Sequence, residues 1–324
     1  MSANDVRVLG ECGPEEIAAY LSDIGDEEAA ERFRRAGVQG QGFGRYLGMD
    51  QYAYTGVLVG FVPPGSGETS AIANAAEIEA DVGLKGARLK LTLDGFFVQS
   101  YPGNGKHRIL CDFAGQNQLA GDTEELRFAL TVEANDGQSA GIQGKPIFMG
   151  VTVGEDGLQL RGQTINISSA EDDVILDALN SDAFKAGLAL VTTAQPALRP
   201  FVGLASSVVK AAANRSKNKP VFKFEVGLDF NQNNLSARLR RGTYVVVQSA
   251  EESWDWGRFK FARNTRTVLR KTDGAGLPLN YLVLGVDDFA GVPATPKSTR
   301  STKAKSSDNQ GAALAPARSP AASG

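Results

Sequence analysis

Apolar and polar residues alternate over long stretches of this chain. Leu89, Leu91 and Leu93 are interleaved with Lys90, Thr92 and Asp94. Leu126, Phe128, Leu130 and Val132 are interleaved with Arg127, Ala129, Thr131 and Glu133. A period of two is that of a strand with one wet and one buried face. From about Ile78 to Ile167 the chain therefore reads as β. PIFMGVTV and LQLRGQTINI follow one another across GEDG, a short turn of the hairpin kind, and YPGNGK and ANDGQSAG mark further turns. After Pro220 the pattern returns, with Phe222, Phe224 and Val226 on one parity. LSARLRRGTYVVVQ, WDWGRFKFARNTRTVL and NYLVLGVDDF complete a second β unit.

Other stretches carry helical spacing. Residues 14–36 open with Pro14 and acids and close with Arg32, Arg34 and Arg35, which suits the helix dipole. Ile17, Tyr20, Leu21 and Ile24 form one apolar stripe, and Gly25 offers a break between two short helices. Residues 37–69 are Gly-rich, with YTGVLVGFV as a strand. EDDVILDALNSDAFKAGLALV predicts a helix with Val174, Ile175, Leu176 and Leu179 on its apolar side. PFVGLASSVVKAAANRSKNK, after Pro196 and at Pro200, predicts a second helix running into a basic loop.

The expected fold is mainly β with helical additions: an antiparallel β-sandwich or sandwiches, C2-like or jelly-roll-like in architecture, interrupted by a helical insert. Five segments follow: 1–69, an N-terminal helical segment and Gly-rich arm; 70–170, a first β unit; 171–219, the helical insert; 220–289, a second β unit; and 290–324, a disordered basic tail poor in large apolar residues. The pattern does not decide whether the two β units make one sandwich or two.

Charge and composition narrow the function classes. The 324 residues carry a net charge of −3. The tail from Ala290 holds five cations and one acid, so the remaining body stands at −7. An acidic body argues against nucleic acid as the main partner, since counterion release needs many cations. Two cysteines and one histidine argue against a zinc site or a disulfide framework, and neither a cofactor nor a metal is expected. The N-terminus shows no secretory pattern and no apolar run reaches the ~20 residues of a membrane helix, so a cytoplasmic protein is expected. The Ala, Gly and Arg usage suggests a bacterial source.

GKHRILCDF, residues 105–113, holds the sole histidine with Cys111 and Asp112. Turn residues flank it, so it predicts a strand, with His107 and Cys111 on one face about 13 Å apart and Asp112 on the other. That is too far for a nucleophile and its base. GQGFG, residues 40–44, follows a helix and lacks the continuation of a phosphate loop. Asp122, Asp136, Asp156 and Asp173 are loop acids that a calcium site would need to gather, but no D-x-D pair is present.

Two binding stretches remain. In SWDWGRFKF, Trp254, Trp256 and Phe259 (with Phe261) follow strand spacing with one shift at Gly257–Arg258, as a β-bulge produces. Core packing or an aromatic groove for a partner would both use them. Lys210, Arg215, Lys217 and Lys219 form a basic patch at a helix end. The expectation is a non-catalytic binding or assembly protein that engages another protein, or a second copy of itself. The alternatives are a carboxylate-dependent hydrolase or lyase using acids such as Asp112, Asp173 or Asp255, and a calcium-dependent lipid-binding module.

Overall fold

The computed structural model describes residues 7–38, 50–119, 122–168, 173–181, 199–231, 236–250 and 254–289. The GQGFG loop, part of the first predicted insert helix and the predicted tail lie outside these residues. The N-terminal helices are α1 (Pro14–Asp23) and α2 (Glu27–Val38). The strands before the insert are β1 (Gly56–Val62), β2 (Thr69–Ala71), β3 (Ala73–Asn74), β4 (Arg88–Val98), β5 (His107–Leu119), β6 (Asp122–Ala134), β7 (Gln138–Ser139), β8 (Lys145–Thr152) and β9 (Gly157–Asn166). The insert contains α3 (Asp173–Asn180) and α4 (Arg199–Ala213). After it come β10 (Lys219–Asp229), β11 (Ala237–Arg238), β12 (Gly242–Ser249), β13 (Phe259–Ala262), β14 (Thr267–Arg270) and β15 (Tyr281–Asp288).

The fold is mainly β, with antiparallel sheets and a helical insert. The central sheet has the order β3-β1-β12-β15-β4, with β7 and β8 both pairing β4. A second sheet runs β11-β10-β9-β5-β6, and a third runs β14-β13-β2. Strands from both sides of the insert share each sheet, so the two β stretches interleave. GEDG closes as a tight hairpin-type turn, with Gly154 and Gly157 exchanging backbone bonds of 3.1 and 3.3 Å, but its strands then part: β8 pairs β4 of the central sheet, while β9 pairs β5 and β10 of the second. The turn carries the chain from one layer to the next.

Side chains of the central and second sheets share one apolar core, to which α1, α2, α3 and α4 add residues. A Cβ on Gly115 of β5 would meet the Phe148 ring of β8 at 3.1 Å, which shows how closely the two layers approach. The Phe224 ring covers Gly162 on the neighbouring strand so tightly that any side chain there would collide with it. Leu89, Leu91 and Leu93 face this core, as their spacing predicts. Asp94 is then an extra, unpaired residue between Leu93↔Leu284 and Gly95↔Val283. This bulge resets the parity, so Phe96 and Val98 take over the inward face.

The small third sheet covers the opposite face of the central one. Val62, Val245, Val247, Tyr281 and Val283 form a second core there with Trp256, Phe259, Phe261 and Val268. Burial on both faces explains the unbroken apolar runs Tyr244–Val247 and Tyr281–Leu284, which a half-buried strand would not need.

The N-terminal helices break where expected. Gly25 takes φ +83°, a left-handed conformation open to glycine, and Asp26 Oδ1 caps α2 by accepting from the Ala29 N–H at 3.1 Å. Asp26 Oδ2 also accepts from the Gly103 N–H at 3.2 Å, tying the helix turn to the YPGNGK loop.

A buried polar network joins the layers. Gln248 (0% exposed) and Asn280 (1%) bond side chain to side chain at 3.0 Å. Gln248 Nε2 lies within 3.2 Å of the carbonyls of Tyr52, Tyr54 and Val221. Asn280 Oδ1 accepts from the Gln99 and Ser100 N–H groups at 2.7 and 3.2 Å. Val221 is the extra residue of a bulge in β10, which turns its carbonyl away from the ladder. Replacing Gln248 with Leu strands these acceptors and the Asn280 amide. The expected loss is about 3 kcal/mol of unfolding free energy, read as a lower urea midpoint at unchanged slope.

Candidate functional site

The three reactive residues of GKHRILCDF serve three separate structural tasks. His107 (4% exposed) opens β5, and its Nε2 lies 2.8 Å from Asp136 Oδ1, which also accepts from the Tyr101 N–H at 3.0 Å. Cys111 shares the face of His107, but four residues of extended strand separate them by about 13 Å. The thiol is fully buried, and that burial, with Asp112 adding to it, pushes its pKa well up. Burial likewise raises the Cys12 thiol. A nucleophilic thiol needs the opposite shift.

Asp112 points to the other face of the second sheet. There Arg127 grips it with two bonds of 2.8 Å, and Gln163 Nε2 adds a third at 2.8 Å. Arg127 also donates to Ser206 Oγ of α4 at 3.3 Å, so the cluster pins the insert helix to the sheet. A buried carboxylate held by a planar two-point donor is fixed in place as a structural anchor. Asp255 caps the 3₁₀ turn Trp256–Arg258 by accepting from the Gly257 N–H at 2.8 Å. It sits in the third sheet's module, away from the face that holds Asp112. Asp173 begins α3. Among the described residues no group of three His, Cys, Asp or Glu side chains is placed to share a metal ion. Between the two large sheets, Leu91, Ile147, Leu160, Val226 and Tyr244 line a cavity of about 10 Å³, room for roughly one water.

The aromatic stretch is divided between core and surface. Trp256 and Phe259 are buried in the second core, where the Trp256 ring lies over Gly60, whose Cβ would come within 2.8 Å of it. The register shift at Gly257–Arg258 is a 3₁₀ turn and not a β-bulge: Trp254 and Trp256 precede β13 instead of lying on it. Trp254 is half-buried, stacked on Phe259 at 5.1 Å and edge-on to Trp256 at 6.3 Å. Tyr54, Leu58 and Phe97 are also half-buried against this second core.

The predicted basic patch is a turn. Lys210 is exposed in the last turn of α4, Lys217 is exposed, and Arg215 and Lys219 are half-buried. Asn218, buried between them, fixes the turn by donating to the Ala212 carbonyl at 2.9 Å and accepting from the Ser168 N–H at 3.1 Å. The structure does not bring these cations to the aromatic stretch through any described contact.

Residues 254–277 hold a donor surplus that the sequence pattern did not mark. Four buried polar side-chain atoms lack a partner among the described residues, and three are donors in this one module: Trp254 Nε1, Arg263 Nε and Arg270 Nε. Arg270 pairs with Asp273 at 3.0 Å through its Nη2. Arg258, Lys260, Arg263, Arg266 and Lys271 have no carboxylate within 4 Å among the described residues.

A second feature is Asp94, the bulge residue. Thr92 Oγ1 donates to its Oδ1 at 2.8 Å, and both side chains lie over Gly285, where a Cβ would come within 2.7 Å of either. Arg266, in a left-handed conformation at φ 56°, donates to the Asp94 carbonyl at 3.2 Å. Burial raises the Asp94 pKa against the opposing pull of Thr92, Arg266 and Lys90.

No protein-family model and no curated protein matches the chain.

Two outcomes are expected from this geometry. In native protein both thiols stay unlabelled by an aromatic disulfide reagent, and both react once denaturant unfolds the chain. Asp94→Asn raises stability at neutral pH. A carboxyl whose pKa is raised on folding contributes most when protonated, below its unfolded value of about 3.9, and that contribution is lost as pH rises through the folded value. Denaturation midpoints of wild type and Asp94→Asn should therefore separate progressively as pH is raised from 4 to 7.

Proposed function

We propose that this chain is a non-catalytic binding or assembly protein of the bacterial cytoplasm, and that residues 254–277, built around the third sheet, present its docking surface. The donor surplus of that module carries the reading. Five of its cations have no carboxylate within 4 Å among the described residues and so invite acceptors from outside, and three further side-chain nitrogens, buried in the free chain, have no partner among the described residues. Trp254 is the natural anchor, since a half-buried indole at the edge of the second core offers apolar area to a partner. Two further observations are in keeping with this. The reactive side chains of GKHRILCDF are committed to structural pairings. No helix among the described residues is long and apolar enough to cross a membrane.

Trp254→Phe retains a ring to stack on Phe259 but gives up about a third of the aromatic surface and the indole N–H. The free variant should lose no more than about 1 kcal/mol of stability, because the ring is half-buried and no hydrogen bond to a described residue is lost. On immobilised full-length protein in host extract, wild type should retain a partner in stoichiometric amount, with that partner held about fivefold more weakly by the variant. A chain that sediments as a monomer and retains no stoichiometric partner would remove this reading.

A further inference from the structure

We propose that the outer face of the third sheet docks a short acidic segment of a partner polypeptide. The inference rests on the binding reading above and names the chemistry of the partner. Strand parity sets the face. Phe259 and Phe261 point into the second core, so Lys260 between them points away, beside Ala71 of β2 and Leu269 of β14. Arg258 and Lys271 are exposed at one end of this face, their backbones joined by the Lys271 N–H donating to the Arg258 carbonyl at 2.9 Å. Arg263 and Arg266 stand at the hairpin end. Arg263 donates to the Pro63 carbonyl and Ser70 Oγ, and Arg266 to the Asp94 carbonyl, all neutral acceptors, with the Asp94 carboxylate also acting on Arg266 at longer range.

The charge is local. Residues 254–277 contain six cations and two acids, a net +4, on a chain of −3. Residues 290–324 account for another +4, which leaves −11 on everything else. Three strands about 4.8 Å apart and three or four residues long make a face of roughly 10 by 13 Å. A ligand that fits this area meets a net positive surface, even with the exposed acids Glu68, Asp255 and Asp273 in the segments next to its strands. A duplex nucleic acid would extend far beyond it, onto a body whose net charge is negative. A lipid surface would likewise bring the acidic flanks against anionic headgroups. Three or four carboxylates on a short chain match the module's net charge of +4, and their oxygens are acceptors for its exposed cations.

The test is fluorescence anisotropy with full-length protein and a labelled decapeptide of alternating Glu and Ser. The comparison arms are a 30-base-pair duplex and phosphatidylserine vesicles. The triple variant Arg258→Glu, Lys260→Glu, Lys271→Glu changes exposed or half-exposed positions, and its melting temperature checks that it folds. Lys210→Glu with Lys217→Glu reverses the other basic turn. The expected result is peptide binding that weakens with salt, falls about tenfold or more in the triple variant and changes less than about twofold in the double variant. Absence of peptide binding to wild type, equal loss in both variants, or tighter binding of duplex or vesicles that the triple variant abolishes would each overturn the proposal. The Trp254→Phe comparison on the captured partner is independent. If its effect persists while the peptide fails, the binding reading stands and only the acidic partner falls.

Discussion

The central sheet must be covered on both of its faces, and the rest of the fold follows from that. Tyr244–Val247 and Tyr281–Leu284 have almost no exposed side chain on either side, so neither face can be left to water. At roughly 25 cal/mol per Å² of apolar surface, one uncovered face of such a sheet would cost far more than a domain's net stability. The second sheet covers one face and the small third sheet the other. The central strands come from both ends of the sequence, which makes the helical insert an excursion within one unit. Its α4 returns to cover β6 and is fastened there by Arg127 through Ser206 and Asp112.

Layering of this kind creates a polar problem where sheet ends meet, and Gln248 with Asn280 resolves it. Each presents both donors and acceptors, and each finds partners in the backbone of segments that would otherwise end unpaired inside the core. The bulge at Val221 aims a carbonyl at Gln248 that a regular ladder would have consumed. The bulge at Asp94 has the converse effect. It keeps Leu93 and Phe96 both inward at the expense of placing a carboxylate where burial disfavours its charge.

Much of this was legible in the residues and some was not, for physical reasons. Leu89, Leu91 and Leu93 revealed their face because alternation is a local consequence of the pleat. The extended geometry of residues 107–113 followed from their turn-rich flanks, and it separated the thiol from the imidazole before any coordinate was known. GEDG forms the tight turn its residues indicate, but such a turn does not determine which sheet each flanking strand joins. The partners of β8 and β9 lie many residues away. SWDWGRFKF did mislead. A 3₁₀ turn and a β-bulge both shift aromatic spacing by one position, and the deciding bond, from Gly257 N–H to Asp255, is a side-chain contact outside the strand pattern. Asp94 sat on the correct polar parity and gave no sign that the ladder would break there. The runs YVVV and YLVL did carry the signal of two-sided burial.

The third sheet contributes two properties from one small segment. Its inward side must be aromatic and aliphatic to seal the central sheet, and Trp256, Phe259, Phe261 and Val268 meet that need. Its outward side is under no such demand, because a three-stranded sheet exposed to water needs only solubility. Mixed charges would serve solubility equally well, and mixed pairs are what α1 and α2 use, with Arg7–Glu16, Arg32–Glu28 and Arg35–Glu31. Here five of the six cations have no carboxylate within 4 Å among the described residues, Arg270 pairing with Asp273, on a body that is otherwise acidic. Self-repulsion among them is a standing cost that folding does not require. A basic face maintained against the charge of its own chain is most simply explained by a ligand that neutralises it.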